Sequence, residues 1–536
     1  MRFKSRIVQG VAAVVLITGA VAAGAGSAAA DPGNWGGYGR ALVVSNQNVQ
    51  SASAHNHGNG GGCGNAQFST IGAAVAAAHP GDTILVCPGT YSEEVLVNTA
   101  VSLVGRDATI NASGLSNGIV ITSSNVAVKG FTVTGALGEG ILAEPPGTAA
   151  LPFPLTDPSQ ALQPITGLTI ENNVVNANDQ GGDPVTHQCV ATGLYPGDCG
   201  GGIHINTVAH SFVENNVVTN NDDGILVTDD VGPNYGNVVA NNYVAHNIYE
   251  CGIVLPSHNQ FAVAYTQNPD STYTTGALTP KTGGIYGNLV IGNMSIDNGS
   301  FVVPHYGGSG SGIGIFAPSA GSASYNNTVA NNYITGSGQS GFTIHAHYTG
   351  GEYVSGNRVV GNGFGKNNIG GDGLDGPSTD PDFATTAILV FSAVHVDMII
   401  AGNHIHGNQI GIWLSASVNA AGLASNSISG ATTNVYVSLT PVAFTGPAIA
   451  TTSPTATVGV AINPNGLSTQ YYVEYGTTTS YTSVSATASA GSGIGPEGLA
   501  VTLAGPLASG TTYHYQVVAT NSSGTTSGGD QTFTES

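Results

Sequence analysis

Charge is the property that this sequence has least of. Only 7% of its 536 residues are charged, and Lys and Arg supply nine of them against 30 Asp and Glu. So few cations exclude nucleic acid and anionic membrane surfaces as principal partners, because both are bound through clusters of Lys and Arg. Helical bundles need charged residues on their exposed faces, whereas this chain has 79 glycines. The composition therefore predicts many short strands and tight turns.

Long apolar runs are also missing, except at the N-terminus. Residues 1–6 carry three cationic side chains, residues 7–23 are mostly apolar, and residues 28–30 are alanines. This three-part pattern predicts a secretory signal peptide over residues 1–30, and hence a secreted protein. Its removal would leave six of the nine cations. No later apolar run is long enough to predict a membrane span.

Cysteine is scarce as well, with five residues in the chain. Disulfides can form in an exported protein. Cys63 and Cys87 bracket a short N-terminal unit and Cys189 and Cys199 bracket one loop, so these two pairs are predicted to be disulfides. Cys251 is left over. We expect it to be a small buried apolar residue, because no sequence feature gives it a basic partner.

A short phrase rich in asparagine recurs through the middle of the chain, for example as TIENNVV, FVENNVV and TVANNYI. Each phrase is followed by a second strand of the form Gly-Ile-x-Ile, and the shortest intervals are 23 to 26 residues. Such a unit of short strands and permissive turns predicts a parallel solenoid. Asn suits a recurrent turn because it tolerates the left-handed backbone region and can bond the same amide one coil away. The predicted structural ladder consists of Asn173, Asn216, Asn242, Asn293, Asn332, Asn357, Asn403 and Asn426.

These repeats resemble the right-handed parallel β-helix superfamily, which includes pectate lyases, polygalacturonases and pectin methylesterases. The resemblance covers about Cys63 to Leu439. Its opening, FSTIGAAVAAAHPGDTILVCPGTYSEEVLV, is similar to the N-terminal cap of that superfamily, a short helix over the open end followed by Pro-Gly-Thr-Tyr in the first coil. A cap is expected because the end of a solenoid exposes apolar core and unpaired strand edges.

The tail from about residue 446 lacks the asparagine phrase. It is similar to fibronectin type III modules, with Leu507, Tyr513 and Tyr515 at the late-strand tyrosine position. The expected fold class is therefore all-β, a right-handed parallel β-helix followed by a small β-sandwich. The expected segments are a signal peptide over 1–30, a flexible leader over 31–62, the β-helix over 63–440 and the sandwich over 446–536.

The inserted loops indicate which face is functional, because walls on both sides of a sheet make a cleft. Some leave before the Gly-Ile strands (about 178–200, 300–310 and 363–385) and others after them (about 144–164 and 258–283). The outer face of those strands is therefore the predicted binding surface. Aromatic faces stack on sugar rings, so the predicted substrate-binding residues are His204, Phe316, His345, Phe391 and Trp413.

Acidic residues mark two turns beside that face. Asp222 and Asp223 precede one Gly-Ile strand, and Glu250 precedes the next. Stacked coils would bring Asp222 and Glu250 to about 5 Å at Cα. Carboxylates that close raise each other's pKa, as an acid and base pair for glycoside cleavage requires. Asp229 and Asp230 follow the first strand and are expected to be solvated turn residues.

The same turn carries the catalytic aspartates of polygalacturonase-type hydrolases. Residues 221–224 (Asn-Asp-Asp-Gly) look like the first motif of that family, and residues 249–252 (Tyr-Glu-Cys-Gly) occupy the place of the second. No Gly-His-Gly and no Arg-x-Lys follow, so the histidine and the uronate-binding cations of the family are unsupported. The resemblance implies a hydrolase of a neutral or weakly acidic polysaccharide or cell-surface glycan, with Asp222 or Asp223 and Glu250 as its carboxylates.

Two alternatives remain open at the level of sequence. One is a non-catalytic extracellular protein that binds carbohydrate or adheres to a surface. The other is a calcium-dependent polysaccharide lyase, for which calcium would be the cofactor. Oxygen-rich loops bind calcium, and the candidate ligands crowd one Gly-rich insert: Asp372, Asp375, Asp380 and Asp382.

Overall fold

The structure is a computed structural model that describes residues 39–46, 63–180, 200–247, 249–268, 272–303, 307–346, 350–371, 384–452 and 454–536. The predicted signal peptide, the predicted pair Cys189 and Cys199, and the calcium candidates Asp372, Asp375, Asp380 and Asp382 lie outside these residues. Within the described part of the chain, no helix is long and apolar enough to cross a membrane.

The chain winds into a right-handed parallel β-helix with three long faces, sheets A, B and C, and a short fourth one, sheet D. Sheets A and B are continuous near the N-terminus, where Ser102–Asn111 and Ala127–Thr134 run through both. Sheet A also contains Ala41–Val44, Thr83–Val86, Thr169–Glu171, Phe212–Glu214, Val238–Ala240, Leu289–Ile291, Thr328–Ala330, Arg358–Val360, Val396–Ala401 and Val418–Ala421. Sheet B also contains Gly89–Tyr91, Val174–Asn176, Val217–Thr219, Tyr243–Ala245, Met294–Ile296, Tyr333–Thr335, Gly363–Phe364, His404–His406 and Ser427–Ser429.

The Gly-Ile strands form sheet C, as the repeat predicts. Its strands are Val95–Val97, Ile119–Ile121, Ile141–Ala143, Gly201–Asn206, Asp223–Thr228, Ile253–Pro256, Ile313–Ala317, Phe342–Ala346, Thr386–Ser392, Ile410–Ser415 and Thr433–Ser438. Sheet D contains Ile165–Thr166, Val208–Ala209, Asn234–Tyr235, Ile285–Tyr286 and Ser324–Tyr325. Two antiparallel hairpins stand outside the coils: Val263–Gln267 with Tyr273–Leu278, and Val302–Val303 with Gly307–Gly308.

The core is a stack of apolar side chains that point inward from every coil. Ile203, Ile225 and Ile253 are fully buried and follow one another in register through sheet C. Alternate residues of a strand face opposite ways, so the remaining side chains of these strands point out of the coil. The outer face of sheet C therefore presents one row of side chains per strand position.

Asparagine side chains form three ladders among the described residues. In the longest, the backbone N–H and Nδ2 of Asn242 both donate to Oδ1 of Asn293 at 2.9 Å, while Asn242 Nδ2 also donates to the carbonyl of Val213. The preceding asparagine, such as Asn241 with φ of 55°, takes the left-handed conformation. One asparagine was expected both to take the left-handed conformation and to bond to the next coil. In the structure, the first of two adjacent asparagines takes that conformation and the second makes the bond. The longest ladder contains Asn173, Asn216, Asn242, Asn293, Asn332, Asn362, Asn403 and Asn426.

One member of the predicted ladder is wrong. Asn332 bonds to Asn362, whereas Asn357 accepts from Asn327 in a different ladder at the next corner of the coil. The phrases VSGNRVV and VVGNGFG overlap, and both offer an asparagine after a glycine. The strand register places Gly363 opposite Tyr333 and so selects the second phrase.

The N-terminal end of the solenoid is capped as predicted. Helix Ile71–Ala77 begins after the N-cap Thr70, and the carboxylate of Glu93 accepts from the backbone N–H groups of Ile71 and Gly72. A negative charge at this position stabilises the helix N-terminus. Cys63 and Cys87 form the predicted disulfide. Strand Ala41–Val44 pairs with Thr83–Val86, so the predicted leader also contains a strand of the first coil.

Two antiparallel sheets follow the last coil and enclose a core of their own that includes Tyr515 and Leu503. The hydroxyl of Tyr515 donates to the carbonyl of Gly446 at 2.7 Å. One sheet contains Val442–Thr452, Thr455–Asn463 and Glu497–Leu503; the other contains Thr469–Gly476, Ser483–Val484, Ala488–Gly491, Thr512–Thr520, Thr525–Ser527 and Gln531–Thr534.

Candidate active site

Titratable side chains converge on sheet C over the coils that hold residues 139–144, 201–206, 223–230 and 250–258. The loops that follow two of these strands close one side of the region. The ring of Phe153, from the first loop, packs edge-on against His258, from the second, with centroids 5.5 Å apart. The two inserted loops therefore lie beside this face, and their side chains contact each other although they come from separate coils.

Asp222 pairs with a residue that was not predicted from the sequence. Asn178 and Asn221 are neighbours in a ladder, so the residues that follow them, Asp179 and Asp222, stand one coil apart. Burial and the neighbouring carboxyl group of Asp222 raise the pKa of Asp179 far above its usual range. Neighbouring carboxyl groups of this kind favour holding one proton between them, because two negative charges repel each other.

Asp223 and Glu250 form the second carboxylate pair. Strand register aligns Asp223 with Cys251, and ligand atoms of Asp223, Glu250 and Cys251 all lie within 4.8 Å of one another. Asp223 is buried and its Oδ1 accepts from the backbone N–H of Cys251 at 2.9 Å. Glu250 is half-buried. Of the two aspartates predicted to pair with Glu250, Asp223 thus lies beside it, while Asp222 also has an acidic neighbour in the preceding coil.

His204 is held between two coils by hydrogen bonds at both ring nitrogens. Nδ1 lies 2.7 Å from Oε1 of Glu139, and Nε2 lies 2.8 Å from Oγ1 of Thr228. The hydroxyl of Thr228 also helps to lower the pKa of Asp230. Because Thr228 is fully buried, its hydroxyl is a hydrogen-bond partner of His204 and not a nucleophile.

The chain of hydrogen bonds continues to a second histidine. His258 Nδ1 lies 2.9 Å from Oδ1 of Asp230. Burial pushes the pKa of Asp230 up, but the hydrogen bond and the charge of His258 outweigh it and leave that pKa below its usual range. Glu144 lies close to this network, and burial together with the charges of Asp230 and Glu139 raises its pKa.

Asp229 and Asp230 are not solvated turn residues. Asp229 is fully buried and accepts from the backbone N–H groups of Gly284 at 2.6 Å and His258 at 2.8 Å, and from the hydroxyl of Ser257 at 2.8 Å. Burial raises its pKa to about 7 against these hydrogen bonds. Asp229 has a structural role, because its hydrogen bonds fix the start of the loop that carries His258.

The predicted aromatic platform is not exposed. Trp413 has 1% of its surface exposed, Phe391 has 8% and His345 has 6%, while Phe316 is half-buried. Side chains of successive coils pack on each other: Phe316 packs edge-on against His345, its partner in register, and Phe391 stacks on Trp413, whose partner in register is Leu389. The sandwich adds a further cover, since Val442 packs in the same cluster as Trp413. Strand alternation indicated the direction of these side chains but not what covers them.

Asp223, Glu250 and Cys251 lie close enough together to be compared with a metal site. Burial and the charges of Asp223 and Glu250 raise the pKa of the Cys251 thiol well above its usual range. A protonated thiol is not a metal ligand, which leaves two carboxylates. Calcium takes six to eight oxygen ligands, so this group does not by itself fit calcium. Cys251 is free and buried, as the sequence predicts.

Asp179, Glu139, Glu144 and His258 were not among the predicted site residues. Asp179 follows the ladder residue Asn178 just as Asp222 follows Asn221, so the ladder could have found it. Glu139 aligns with Asp223 through Gly201 in sheet C, and its position before a Gly-Ile strand was a second available signal. Glu144 and His258 lie in inserts, whose course no repeat predicts.

Comparisons with known proteins agree with the architecture. Residues 117–269 match the family model described as right handed beta helix region. No curated protein matches the chain.

Several solved structures are similar to this chain at low sequence identity. One is the A-module of the mannuronan C-5 epimerase AlgE4 of Azotobacter vinelandii, with 14% identity, a TM-score of 0.39 and coverage of 69% of this chain and 96% of the other. A second is the enzymatically active domain of tailspike protein 2 of bacteriophage CBA120, with 12% identity, a TM-score of 0.33 and coverage of 87% and 73%. A third is DFA-IIIase of Arthrobacter chlorophenolicus A6, with 13% identity, a TM-score of 0.30 and coverage of 68% and 96%. These values assign no activity to the chain.

Proposed function

We propose that the protein is a secreted polysaccharide-active enzyme, a hydrolase, whose reacting groups are the carboxyl groups on the outer face of sheet C. The observation that carries this proposal is the pair of neighbouring carboxyl groups of Asp179 and Asp222, which is adjacent along the chain to a second pair, Asp223 and Glu250. Glycoside cleavage needs one carboxyl that keeps its proton and one that has lost it.

The roles follow from exposure and from hydrogen bonding. Asp222 is half-buried, so the protonated pair can reach a glycosidic oxygen and donate to it. Glu250 is half-buried too and supplies the second carboxylate, which acts on the anomeric carbon directly or through water. Asp223 is buried and holds the backbone of Cys251, so it positions the turn that carries Glu250.

His204 supports a substrate that is weakly acidic as well as a neutral one. Its ring, which contacts Glu139 at 2.7 Å, is a positive group when it is protonated, within a cluster that is otherwise acidic. One cation compensates one negative charge on a sugar, whereas a highly anionic glycan would face several carboxylates.

The test is a glycan panel assayed separately for new reducing ends and for unsaturated products. Asp222→Asn and Glu250→Gln are each expected to lower the rate of reducing-end release by about a hundredfold or more, the usual effect of removing a general acid or base. The matched control is Asp297→Asn, because Asp297 is an exposed acid with half of its side chain in solvent. Unsaturated products would indicate a lyase, and unchanged rates in Asp222→Asn and Glu250→Gln would remove these residues from the mechanism.

A further inference from the structure

A stripe of exposed apolar side chains runs along sheet B, on a different face of the solenoid from the carboxyl groups. Its members are in register from coil to coil. Isolated exposed apolar residues are ordinary on protein surfaces, but five in a continuous row are not. The stripe consists of Val174, Val217, Tyr243, Met294 and Tyr333, with 40%, 37%, 37%, 43% and 40% of their surfaces exposed.

The stripe places two tyrosine rings two coils apart. Tyr243 is opposite Met294, and Met294 is opposite Tyr333. With about 4.8 Å between coils, the two rings stand about 10 Å apart along the solenoid axis. The parallel register of the coils fixes this spacing, so it does not depend on loop conformation.

The ring of Tyr333 leans over the strand of the next coil, where the residues beneath it are glycines. A Cβ at Gly363 would lie 3.2 Å from Cδ2 of the ring, and one at Gly365 would lie 3.5 Å from its hydroxyl oxygen. A side chain at Gly363 would crowd the ring, whereas one at Gly365 would be in ordinary contact with its hydroxyl. Gly363 therefore lets the tyrosine ring lie low over this strand, where its outward side remains available to a ligand.

The shape of the stripe restricts what can bind it. It is one side chain wide and four coil spacings long, about 19 Å. A stable protein interface needs roughly 800 Å² from each partner, far more than five half-exposed side chains provide. A single linear polymer lying along the solenoid axis fits a surface of these proportions.

Charge restricts the ligand further. The five strands that carry the stripe, from Val174–Asn176 to Tyr333–Thr335, contain no charged residue, and the whole chain has a formal net charge of −21. A polyanion would gain no ion pair on these strands and would be repelled by the rest of the molecule. Next to the stripe, the outward side chains of Asn176, Thr219 and Thr335 offer hydrogen-bonding groups.

We propose that this stripe is a second carbohydrate-binding site, for a neutral polysaccharide chain that lies along the solenoid axis and stacks on Tyr243 and Tyr333. Apolar sugar faces pack on aromatic rings while hydroxyl groups bond to the polar rim, as amphipathic ligands do. The site would hold the protein on its substrate or on a cell surface, and it does so whether or not the groups on sheet C are catalytic.

The experiment measures binding of the whole chain to insoluble cellulose, xylan, mannan and chitin, by depletion of protein from solution. Wild type is expected to bind at least one of these probes and to bind polygalacturonate gel less well. The double variant Tyr243→Ala with Tyr333→Ala is expected to bind the same probe at least tenfold more weakly. Gly363→Val, which keeps both rings but crowds one, is expected to weaken binding as well.

Two control variants show whether binding belongs to the stripe. Tyr265→Ala removes a tyrosine that is 41% exposed on the hairpin and is expected to leave binding unchanged. Asp222→Asn is expected to bind like wild type even if it has lost activity, which distinguishes this site from the proposed active site. Thermal unfolding of each variant checks that it is folded.

The proposal is overturned if wild type binds none of the neutral probes, or if the folded double variant binds as wild type does. It is also overturned if light scattering shows that wild type self-associates and that the double variant does not. In that case a second copy of the chain covers the stripe.

Discussion

At the scale of single residues, the acidic cluster shows how a solenoid brings like charges together. Asp179 and Asp222 occupy the same place in successive coils, so the fold itself sets their separation. Two ionised carboxylates so close would repel strongly in a partly buried site. A shared proton removes that repulsion, and burial together with the neighbouring Asp222 accordingly raises the pKa of Asp179. The fold thereby holds a proton that isolated aspartates would lose at neutral pH.

This proton predicts a dependence of stability on pH. The pKa of Asp179 is higher in the folded chain than in the unfolded one, so the folded state binds more protons above about pH 4 and loses stability as pH rises through that window. Asp179→Asn keeps a hydrogen-bond donor and suits the left-handed backbone at this position, where φ is 60°. We expect it to raise the free energy of unfolding at pH 8 by about 1 to 2 kcal/mol and to flatten the dependence on pH.

Urea unfolding of wild type and of Asp179→Asn between pH 5 and 8 measures both effects. Asp107→Asn is the control, since Asp107 is an exposed aspartate that also has a positive φ. Parallel pH profiles for wild type and Asp179→Asn would mean that Asp179 holds no extra proton in the folded state.

The sequence located the turn that carries the acidic residues, but it could not assign their partners. The spacing allowed either Asp222 or Asp223 beside Glu250, and the structure places Asp223 there, a choice that strand alternation cannot make because it does not set side-chain direction at a turn. Asp229 illustrates a second limit. A pair of acids after a strand predicts a solvated turn, and only the loop donors around Asp229 explain why it is buried.

At the scale of elements, the asparagine ladders explain how so many short strands stay in register. Most strands have only a few residues, and parallel pairing of that length is weak by itself. Each ladder asparagine fills the buried corner of a coil and bonds to the coils before and after it, as Asn242 does with Asn216 and Asn293. The ladder therefore supplies the donors and acceptors that a buried turn would otherwise leave unsatisfied.

Replacing a central ladder residue by an isosteric acid tests this role. Asn242→Asp keeps the acceptor for Asn216 but cannot donate to Asn293 and Val213, whose oxygens would face a buried carboxyl. We expect a loss of about 2 to 4 kcal/mol in the free energy of unfolding, measured by urea unfolding at pH 7. Asn98→Asp, at an exposed position, is the control. Similar stabilities for the two variants would show that the ladder contributes little.

The solenoid itself was predictable because its signal is repeated in every coil. A repeated phrase averages out local exceptions, so strands, turns and the inward row of Ile and Val were all found from their spacing. Where two phrases overlap, the repeat alone does not decide which one belongs to the ladder. This happens at Asn357 and Asn362, where two alignments that differ by five residues each place an asparagine at the ladder position. Hydrogen bonding between coils decides in favour of Asn362.

At the scale of the whole molecule, the C-terminal sandwich changes the surface of the solenoid that precedes it. Trp413, Leu389 and Phe391 point out of sheet C, yet they are buried in one cluster with Val442 from the first sandwich strand, and Phe444 packs against that cluster. The side chain of Asn463 also donates to the carbonyl of Ala393 at 2.7 Å. The sandwich therefore covers the outer face of sheet C at the last coils.

Tryptophan fluorescence can measure this cover. The chain has two tryptophans, so Trp35→Phe leaves Trp413 as the only emitter. In that background, Phe444→Ala should let water reach the indole, shift its emission to longer wavelength and increase quenching by acrylamide. The half-buried position of Phe444 predicts a cost of about 2 kcal/mol in the free energy of unfolding. Ile494→Ala, on a sandwich residue that is 58% exposed, should change neither spectrum nor stability. If Phe444→Ala leaves the emission of Trp413 unchanged, the sandwich does not cover this end of sheet C in solution, and Trp413 and Phe391 return as candidates for contact with a sugar.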